Sequence, residues 1–331
     1  MELKKSVSIV IPNYNGRHLL EEYLPYTISA IENAGVAYQL IIIDDTSTDD
    51  SVEFIKANYP TAKLLVNRHN RGFSFSCNQG IAAAECELTL LLNSDVKLSP
   101  DYFESQWKYF NTPDTFGVMG RIIDMDGDNI QDAARLPKFN GLKLKTAFFY
   151  YTQEPSDRLY TFYLSGANAL IDTAKLKGLG GFYELFSPFY CEDMELSIRA
   201  WKVGWKCYYE HQSVCRHQVS ASTKNYKTAQ WVKSVYYRNR FYLHALHLNG
   251  LALLAWYLQI AFIDLLPKLI SGQLWIWKSY IQLFKNRALI KQYKNRVNTL
   301  LNKHHSQATI FDVVKQIRLS VKGKKLIRIK L

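Results

Sequence analysis

Residues 88–96 do most to restrict what this chain can fold into. An apolar run carrying Leu90, Leu91 and Leu92 ends abruptly in Asn93-Ser94-Asp95. A short strand without polar alternation belongs in a parallel sheet covered on both faces. Ligands of such sheets gather outside the carboxyl ends of the strands. The run is therefore expected to be a buried strand that delivers one carboxylate, Asp95, to the ligand edge.

The segments before it repeat the pattern. Residues 7–11 form a β-rich run stopped by Pro12-Asn13-Tyr14-Asn15-Gly16, after which Leu19, Leu20, Tyr23 and Leu24 follow a helical spacing closed by Gly35. Residues 38–43 make a second apolar strand, which also ends in acid at Asp44-Asp45. Ser47 or Thr48 is placed to cap the next helix, which carries Val52, Phe54 and Ile55. Residues 62–66 read as a third strand, and Asn70-Arg71-Gly72-Phe73 leads into a helix bearing Asn78 and Gly80. Ser99-Pro100 reads as an N-cap with proline at the first helical position. Strands and helices alternating from residue 6 to about 120 imply a parallel, doubly wound α/β sheet.

Beyond that the pattern loosens, and residues 137–163 mix basic and aromatic side chains without a period. Order returns over residues 164–171 and at Gly180-Gly181-Phe182. A helix opened by Glu192-Asp193-Met194-Glu195 then carries Leu196, Ile198, Arg199 and Trp201 to Gly204. Residues 205–209 read as the final strand.

The 331 residues, 48% hydrophobic, can bury a sizeable core. Their formal charge of +12 is unevenly placed: residues 1–223 hold 21 basic and 27 acidic side chains, residues 224–331 hold 20 and 2. The chain thus divides into an acidic domain, 1–223, and a basic helical region, 224–331. The latter has helical spacings over 231–248, 251–270 and 275–297. Residues 251–266 are strongly apolar but contain Gln259 and Asp264 and meet Pro267-Lys268, short of the roughly 20 residues that span a bilayer. Trp256, Tyr257, Trp275 and Trp277 beside Lys and Arg fit helices lying in an anionic membrane interface. A solvated basic face over a helical core remains the alternative. No nucleic-acid motif is present.

Five cysteines, an odd number without metal-type spacing, fit reduced thiols in a cytosolic setting. Lys4 and Lys5 precede an apolar run too short for a signal peptide. The expected location is therefore cytoplasmic, peripheral on the inner face of the membrane.

Asp44, Asp45 and Asp95 end strands whose ends are expected to lie near each other in such a sheet, so their mutual repulsion needs an offset. A nucleotide can supply hydrogen-bond donors to a carboxylate. A hard divalent cation can be held by one or two carboxylates plus substrate phosphates. Taken singly, each acid also reads as a turn residue that ends a strand. Likewise Glu192, Asp193 and Glu195 suit a helix N-terminus, while one of them could serve as a general base toward an acceptor hydroxyl. Arg199, four residues after Glu195, can pair with it. His217, just before Ser220, Ser222 and Thr223, is a candidate metal or phosphate contact.

In order along the chain, residues 7–15, Ile43-Asp44-Asp45-Thr46-Ser47-Thr48-Asp49, Asn70-Arg71-Gly72-Phe73 with Asn78 and Gly80, Leu92-Asn93-Ser94-Asp95, and Gly180-Gly181-Phe182 with Glu192-Asp193-Met194-Glu195-Leu196 and Arg199 resemble the family 2 glycosyltransferases. The resemblance covers residues 5–220. It implies a GT-A fold, a Rossmann-like, mostly parallel sheet with helices on both faces, here followed by the helical region. It also implies a nucleotide-sugar donor, Mn2+ or Mg2+, and inversion at the anomeric carbon.

Carried over by position, Pro12, Tyr14, Asn15, Asp44, Asp45, Asn70, Gly72, Asn78, Asn93 and Ser94 would serve the donor. Asp95 and His217 would serve the metal, Asp193 would be the catalytic base, and Gly166, Glu192 and Arg199 would lie on the acceptor side. Asn93 stands where the family's D-x-D motif has its first acid. Asp45 stands where relatives commonly have Asn.

The expected partners are a nucleotide sugar, a glycan or lipid-linked acceptor and an anionic membrane surface, with no nucleic acid; a homo-oligomer is compatible with the sequence. Two rivals are a sugar-phosphate nucleotidyltransferase, whose glycine-rich N-terminal loop is replaced here by Pro12-Asn13-Tyr14-Asn15-Gly16, and a non-catalytic membrane-bound nucleotide-sugar sensor.

Overall fold

In the computed structural model, which describes residues 4–154, 156–218 and 228–329, the first half alternates strand and helix as expected. Ser220, Ser222, Thr223 and the expected boundary at 223/224 lie outside the described residues. The order is β1 (Val7–Asn13), α1 (Arg17–Ala34), β2 (Tyr38–Asp44), α2 (Ser51–Asn58), β3 (Lys63–Val66), α3 (Phe73–Ala83) and β4 (Leu88–Leu92). Both faces of the sheet are covered, and the strand period of two divides the apolar side chains between them. Val7, Ile9 and Ile11 of β1 and Leu88, Leu90 and Leu92 of β4 enter one core, Val10 and Leu91 the other.

β1 pairs in parallel with β2 and β4, and β2 with β3, so the spatial order is β3-β2-β1-β4. This order reverses beside β1. A reversal of that kind opens a crevice at the carboxyl ends of the strands. The turn after β1 and the Asn93-Ser94-Asp95 corner after β4 flank it.

Past β4 the sheet is mixed. β5 (Val96–Leu98), β6 (Thr115–Ile123), β7 (Ile130–Asp132), β8 (Ala134–Asn140), β9 (Lys143–Tyr151), β10 (Leu159–Tyr160) and β11 (Asn168–Asp172) precede α4 (Thr173–Gly178), α5 (Glu192–Lys202) and β12 (Lys206–His217). β11 lies between β4 and β6, antiparallel to both. The strand expected at 205–209 extends to His217, running parallel to β6 and antiparallel to β5. Its register sets His217 opposite Val96, next to Asp95. Residues 137–163, unplaced by periodicity, supply most of the β8–β9 hairpin, whose half-buried faces blur any alternation.

Two local expectations of helix capping fail: the Ser47 hydroxyl turns back to Asp44, and the Ser99 hydroxyl has no hydrogen-bond partner among the described residues. Ser47 Oγ donates to Asp44 Oδ1 at 2.5 Å, and α2 begins only at Ser51. Ser99 donates its N–H to Val214, and residues 99–109 form successive turns burying Tyr102, Phe103, Trp107 and Tyr109 in place of a helix.

The second half comprises α6 (Ala229–His247), α7 (Gly250–Gln259), α8 (Leu266–Ile270), α9 (Trp275–Lys285), α10 (Arg287–Lys303), α11 (Ile310–Ser320) and β13 (Ile327–Ile329). α9 and α10 divide at Asn286 the helix expected over 275–297, and β13, which the sequence did not announce, extends the hairpin sheet by pairing with β9.

The expected break at Pro267 is absent. A π-helical turn, Ile260–Leu265, joins α7 to α8, with the Leu266 N–H reaching the Ala261 carbonyl. The wider turn carries the chain past a residue that has no N–H to give. Gly250–Ile270 is thus one helix of 21 residues with mean hydropathy 1.6, long and apolar enough to cross a membrane. Only 22% of its apolar window is buried in the protein, so it is not a core helix. One apolar core nevertheless runs from Val10 and Trp201 through Phe241 and Trp256 to Ile317, tying the helices to the sheet.

Candidate active site

The acids at the end of β2 organise loops. Asp44, fully buried, accepts from Asn13 Nδ2 at 3.0 Å and from the Ser47 N–H at 2.9 Å. Asp45 accepts from the N–H groups of Arg71 and Gly72, the latter at 2.8 Å, and from Asn67 Nδ2. Gly72 adopts φ +84°, and a Cβ there would lie 3.2 Å from the Pro188 backbone. Only glycine combines that left-handed backbone with that approach. The two acids therefore hold the 12–16 and 67–72 loops at the rim of the crevice.

Asp95 sits between β4 and β5, 3% exposed. Its Oδ1 has no hydrogen-bond partner, and His217 Nε2 faces it at 3.3 Å without hydrogen-bond alignment. An orphaned carboxylate oxygen beside an imidazole nitrogen fits a divalent cation. No group of three or more His, Cys, Asp and Glu side chains suited to a metal occurs among the described residues. The protein thus offers two ligands there, which leaves other positions for substrate oxygens.

The opposing chemistry comes from the N-terminus of α5. Tyr190 and Cys191 precede it with φ of 77° and 73°, a backbone that side chains other than glycine rarely adopt. Buried Asn239, on α6, secures this turn: its Nδ2 donates to the carbonyls of Phe186, Phe189 and Tyr190 at 2.6 to 2.9 Å. The turn presents Glu192 and Asp193 side by side.

Burial raises the Asp193 pKa, while Arg135 and the N–H groups of Met194 and Gly166 pull it back. Burial and the neighbouring Asp193 charge drive Glu192 well above the usual carboxylate range, and its Oε2 has no partner. Two adjacent buried carboxyls cannot both ionise cheaply. Asp193, half-buried and better supplied with donors, is the one that carries the charge. Arg135 itself pairs with Asp132, donates to the Tyr163 carbonyl and lies 4.0 Å from the Tyr163 ring centroid.

One cavity of about 380 Å³ gathers Pro12, Tyr14, Asn15, Asp45, Gly72, Asn93, Ser94, Asp95, Gly166, Glu192, Asp193 and His217. Four expected residues lie outside its lining. Asp44 is occupied as described, and Asn70 is exposed. Asn78 exchanges hydrogen bonds with the Phe182 backbone at 2.8 and 2.9 Å, clamping α3 to the Gly180-Gly181 turn.

The expected acceptor-side place of Arg199 is corrected. It is fully buried, paired with Glu195 at 2.7 Å and donating to the carbonyls of Leu179 and Gly181. Sequence reasoning missed Arg135 and Asn239. Arg135 borders the segment without periodicity, and Asn239 is one polar residue in a helix whose partners lie about 50 positions away; neither carries a local signal.

The model of the family described as Glycosyl transferase family 2 matches residues 8–180. Undecaprenyl-phosphate 4-deoxy-4-formamido-L-arabinose transferase of Salmonella paratyphi B is 32% identical over 102 residues, covering 29% of this chain and 31% of that protein. The match thus spans about a third of that relative's length. Among solved structures, GalNAc-T7 with UDP, GalNAc and Mn2+ aligns at TM-score 0.66 and 13% identity, over 98% of this chain and 58% of the other. Staphylococcus aureus TarS 1-349 in complex with UDP-GlcNAc aligns at TM-score 0.53 and 15% identity, over 96% and 90%. At such identities the likeness is one of fold. With more than half of its length matched by the family model and its mixed sheet shared with these neighbours, the chain belongs to glycosyl transferase family 2.

Proposed function

We propose that this protein is an inverting glycosyltransferase that moves a sugar from a nucleoside diphosphate sugar to a hydroxyl of a glycan or lipid-linked acceptor. The observation that carries this reading is the single cavity into which the β4–β5 corner brings Asp95 and the α5 N-terminus brings Asp193. Asp193 takes the proton of the acceptor hydroxyl. The oxygen attacks the anomeric carbon from the face opposite the leaving group, and the bond to the diphosphate breaks with its electron pair. One displacement inverts the carbon.

Mn2+ or Mg2+, held by Asp95, His217 and donor phosphates, would stabilise charge on the leaving diphosphate. Pro12, Tyr14, Asn15, Asn93 and Ser94 line the donor end, while Gly166 and Glu192 flank the base. Asp44, Asp45, Gly72 and Asn78 fix the loops around them. Residues 1–223 supply this chemistry and residues 224–331 its acceptor side and membrane contact. Leu251, Leu254, Phe262 and Ile270 are 59% to 85% exposed in a region with 20 basic and 2 acidic side chains. That composition supports residence at the cytoplasmic membrane surface.

The test is a set of nucleoside diphosphate sugars assayed for thermal stabilisation and turnover, with Mn2+ and with EDTA. One donor is expected to raise the melting temperature only with the cation, in line with about 2.7 kcal/mol at a hundredfold excess over Kd, and to release nucleoside diphosphate. EDTA should abolish both effects. Binding without turnover would favour the sensor, and pyrophosphate-dependent exchange the nucleotidyltransferase.

Asn239 supplies a separate expectation. Asn239→Ala should lower kcat by roughly 10²-fold, the scale of a small misplacement of a reacting group, with donor KM unchanged. Equal loss in donor binding would show that the turn serves the donor instead.

A further inference from the structure

A second cavity, about 520 Å³, shares Tyr190, Glu192 and Asp193 with the first and continues from them between β9 and the C-terminal helices. Its walls are fastened together. The Leu144 N–H donates to His244 Nε2 at 2.8 Å, Arg240 donates to the Leu144 carbonyl, and the Leu142 N–H donates to Gln259 Oε1 at 2.6 Å. Burial, reinforced by Arg240, lowers the His244 pKa to about 3, so the ring is neutral and free to accept.

The cations in this cavity are unequally matched. Lys143 pairs with Asp264 at 2.8 Å. Lys145, two residues along the same strand and on the same face, has no carboxylate within ion-pair distance among the described residues, and neither does half-buried Arg240. Of the two other acids in the lining, Glu192 is driven toward its protonated form, which leaves the single charge of Asp193 against these two cations. A guanidinium withdrawn from water without an acid favours an anion in the cavity.

Beside the polar groups Thr146 and His244, the lining includes a run of aromatic and aliphatic side chains, Tyr236, Tyr237, Phe241, Trp256 and Ile260. Helix 250–270 contributes Trp256, Ile260 and Asp264, four residues apart and so on one face. It exposes Leu251, Leu254, Leu258, Phe262 and Ile263 to solvent by 54% to 85%. An anion-seeking cavity and an unpartnered apolar surface are therefore two sides of the same helix.

We infer that this cavity holds the phosphate or diphosphate head of an amphiphilic acceptor, a lipid phosphate, with its chain leaving along the exposed face of helix 250–270. Arg240 and Lys145 take the phosphate oxygens, and the group to be glycosylated points at Asp193. The inference rests on Asp193 being the acceptor base and adds the chemical class of the acceptor.

The test uses full-length protein, without nucleotide or divalent cation, and farnesyl diphosphate as a soluble probe in titration calorimetry. Wild type should bind farnesyl diphosphate at least about tenfold more tightly than either inorganic pyrophosphate or farnesol, a gap of about 1.4 kcal/mol. Lys145→Glu, on an exposed side chain that does not threaten folding, and Arg240→Gln should each weaken binding by about tenfold or more. Asp95→Asn should leave it unchanged. Equal affinity for pyrophosphate and farnesyl diphosphate would mean a free-phosphate site and overturn the proposal. So would absence of binding, indifference to Lys145→Glu, or loss with Asp95→Asn. Since the probe is not turned over, this failure is separable from failure of the transferase reading, which shows instead as donor binding without transfer.

Discussion

Asp193→Asn is expected to lower kcat by about 10² to 10⁴-fold, the usual contribution of a general base, with donor affinity close to wild type. The amide keeps the shape of the carboxylate at the head of α5 but cannot take a proton. In wild type, burial holds the Asp193 pKa above its ordinary value, which improves its match to a hydroxyl proton near neutral pH. Only the ionised form is a base. The acid limb of kcat/KM should therefore fall as pH drops through that raised pKa, and should vanish in the residual activity of the variant.

Stability should move the other way. A carboxyl whose folded pKa exceeds its unfolded one favours the native state at low pH, and this advantage is lost as pH rises through the folded value. At neutral pH Asp193 is therefore a cost, so Asp193→Asn should melt no lower than wild type. Wild-type turnover by the variant would remove Asp193 from the mechanism.

Arg199→Ala should act on the fold instead, costing roughly 3 to 5 kcal/mol, the range for leaving one partner of a buried ion pair alone. Arg199 and Glu195 are both fully buried. The guanidinium also lies 3.8 Å from the Tyr183 ring centroid and donates to the carbonyls of Leu179 and Gly181, so truncation strands three acceptors at once. Burial pushes the Glu195 carboxyl up, but Arg199 and then His247 more than offset it, leaving the pKa lowered.

The sign follows. Stability from a lowered carboxyl is present above its unfolded pKa and lost as pH falls through the folded value. Without Arg199 that pKa should climb, so the deficit of the variant in denaturant melts should be largest near neutral pH and shrink in acid. A variant that melts like wild type while its acceptor KM rises would return Arg199 to the acceptor site.

These two residues mark how far the sequence could be read. Glu192-Asp193-Met194-Glu195 and Arg199 all lie on one short helix and all look suited to chemistry. Spacing alone paired Glu195 with Arg199 correctly, but it could not say that the pair faces Gly181 within the core while Asp193 faces the cavity. Asp95 and His217 were each visible as chemistry-bearing residues. Their proximity depends on the antiparallel register that sets β12 against β5 across 121 positions of chain. At Pro267 the sequence signal pointed the wrong way, because a proline ordinarily stops a helix, whereas the π turn before it absorbs the missing donor.

By itself the sequence determined the strands that cross the first core, the acids that end them and the division of charge between the two halves. Those properties are local: hydrophobic periodicity, turn residues and composition need no knowledge of distant neighbours. Tertiary structure alone decided the insertion of β11 against β4, the meeting of Asp95 with His217, and the securing of the Asp193 turn by Asn239. It also decided the closure of the second cavity by α6 and helix 250–270. Each of these joins segments far apart in the chain, where register and packing, not residue identity, choose the partner. The Asn93-Ser94-Asp95 corner gives a carboxylate from the sequence alone; only the folded sheet gives that carboxylate a histidine and a cavity.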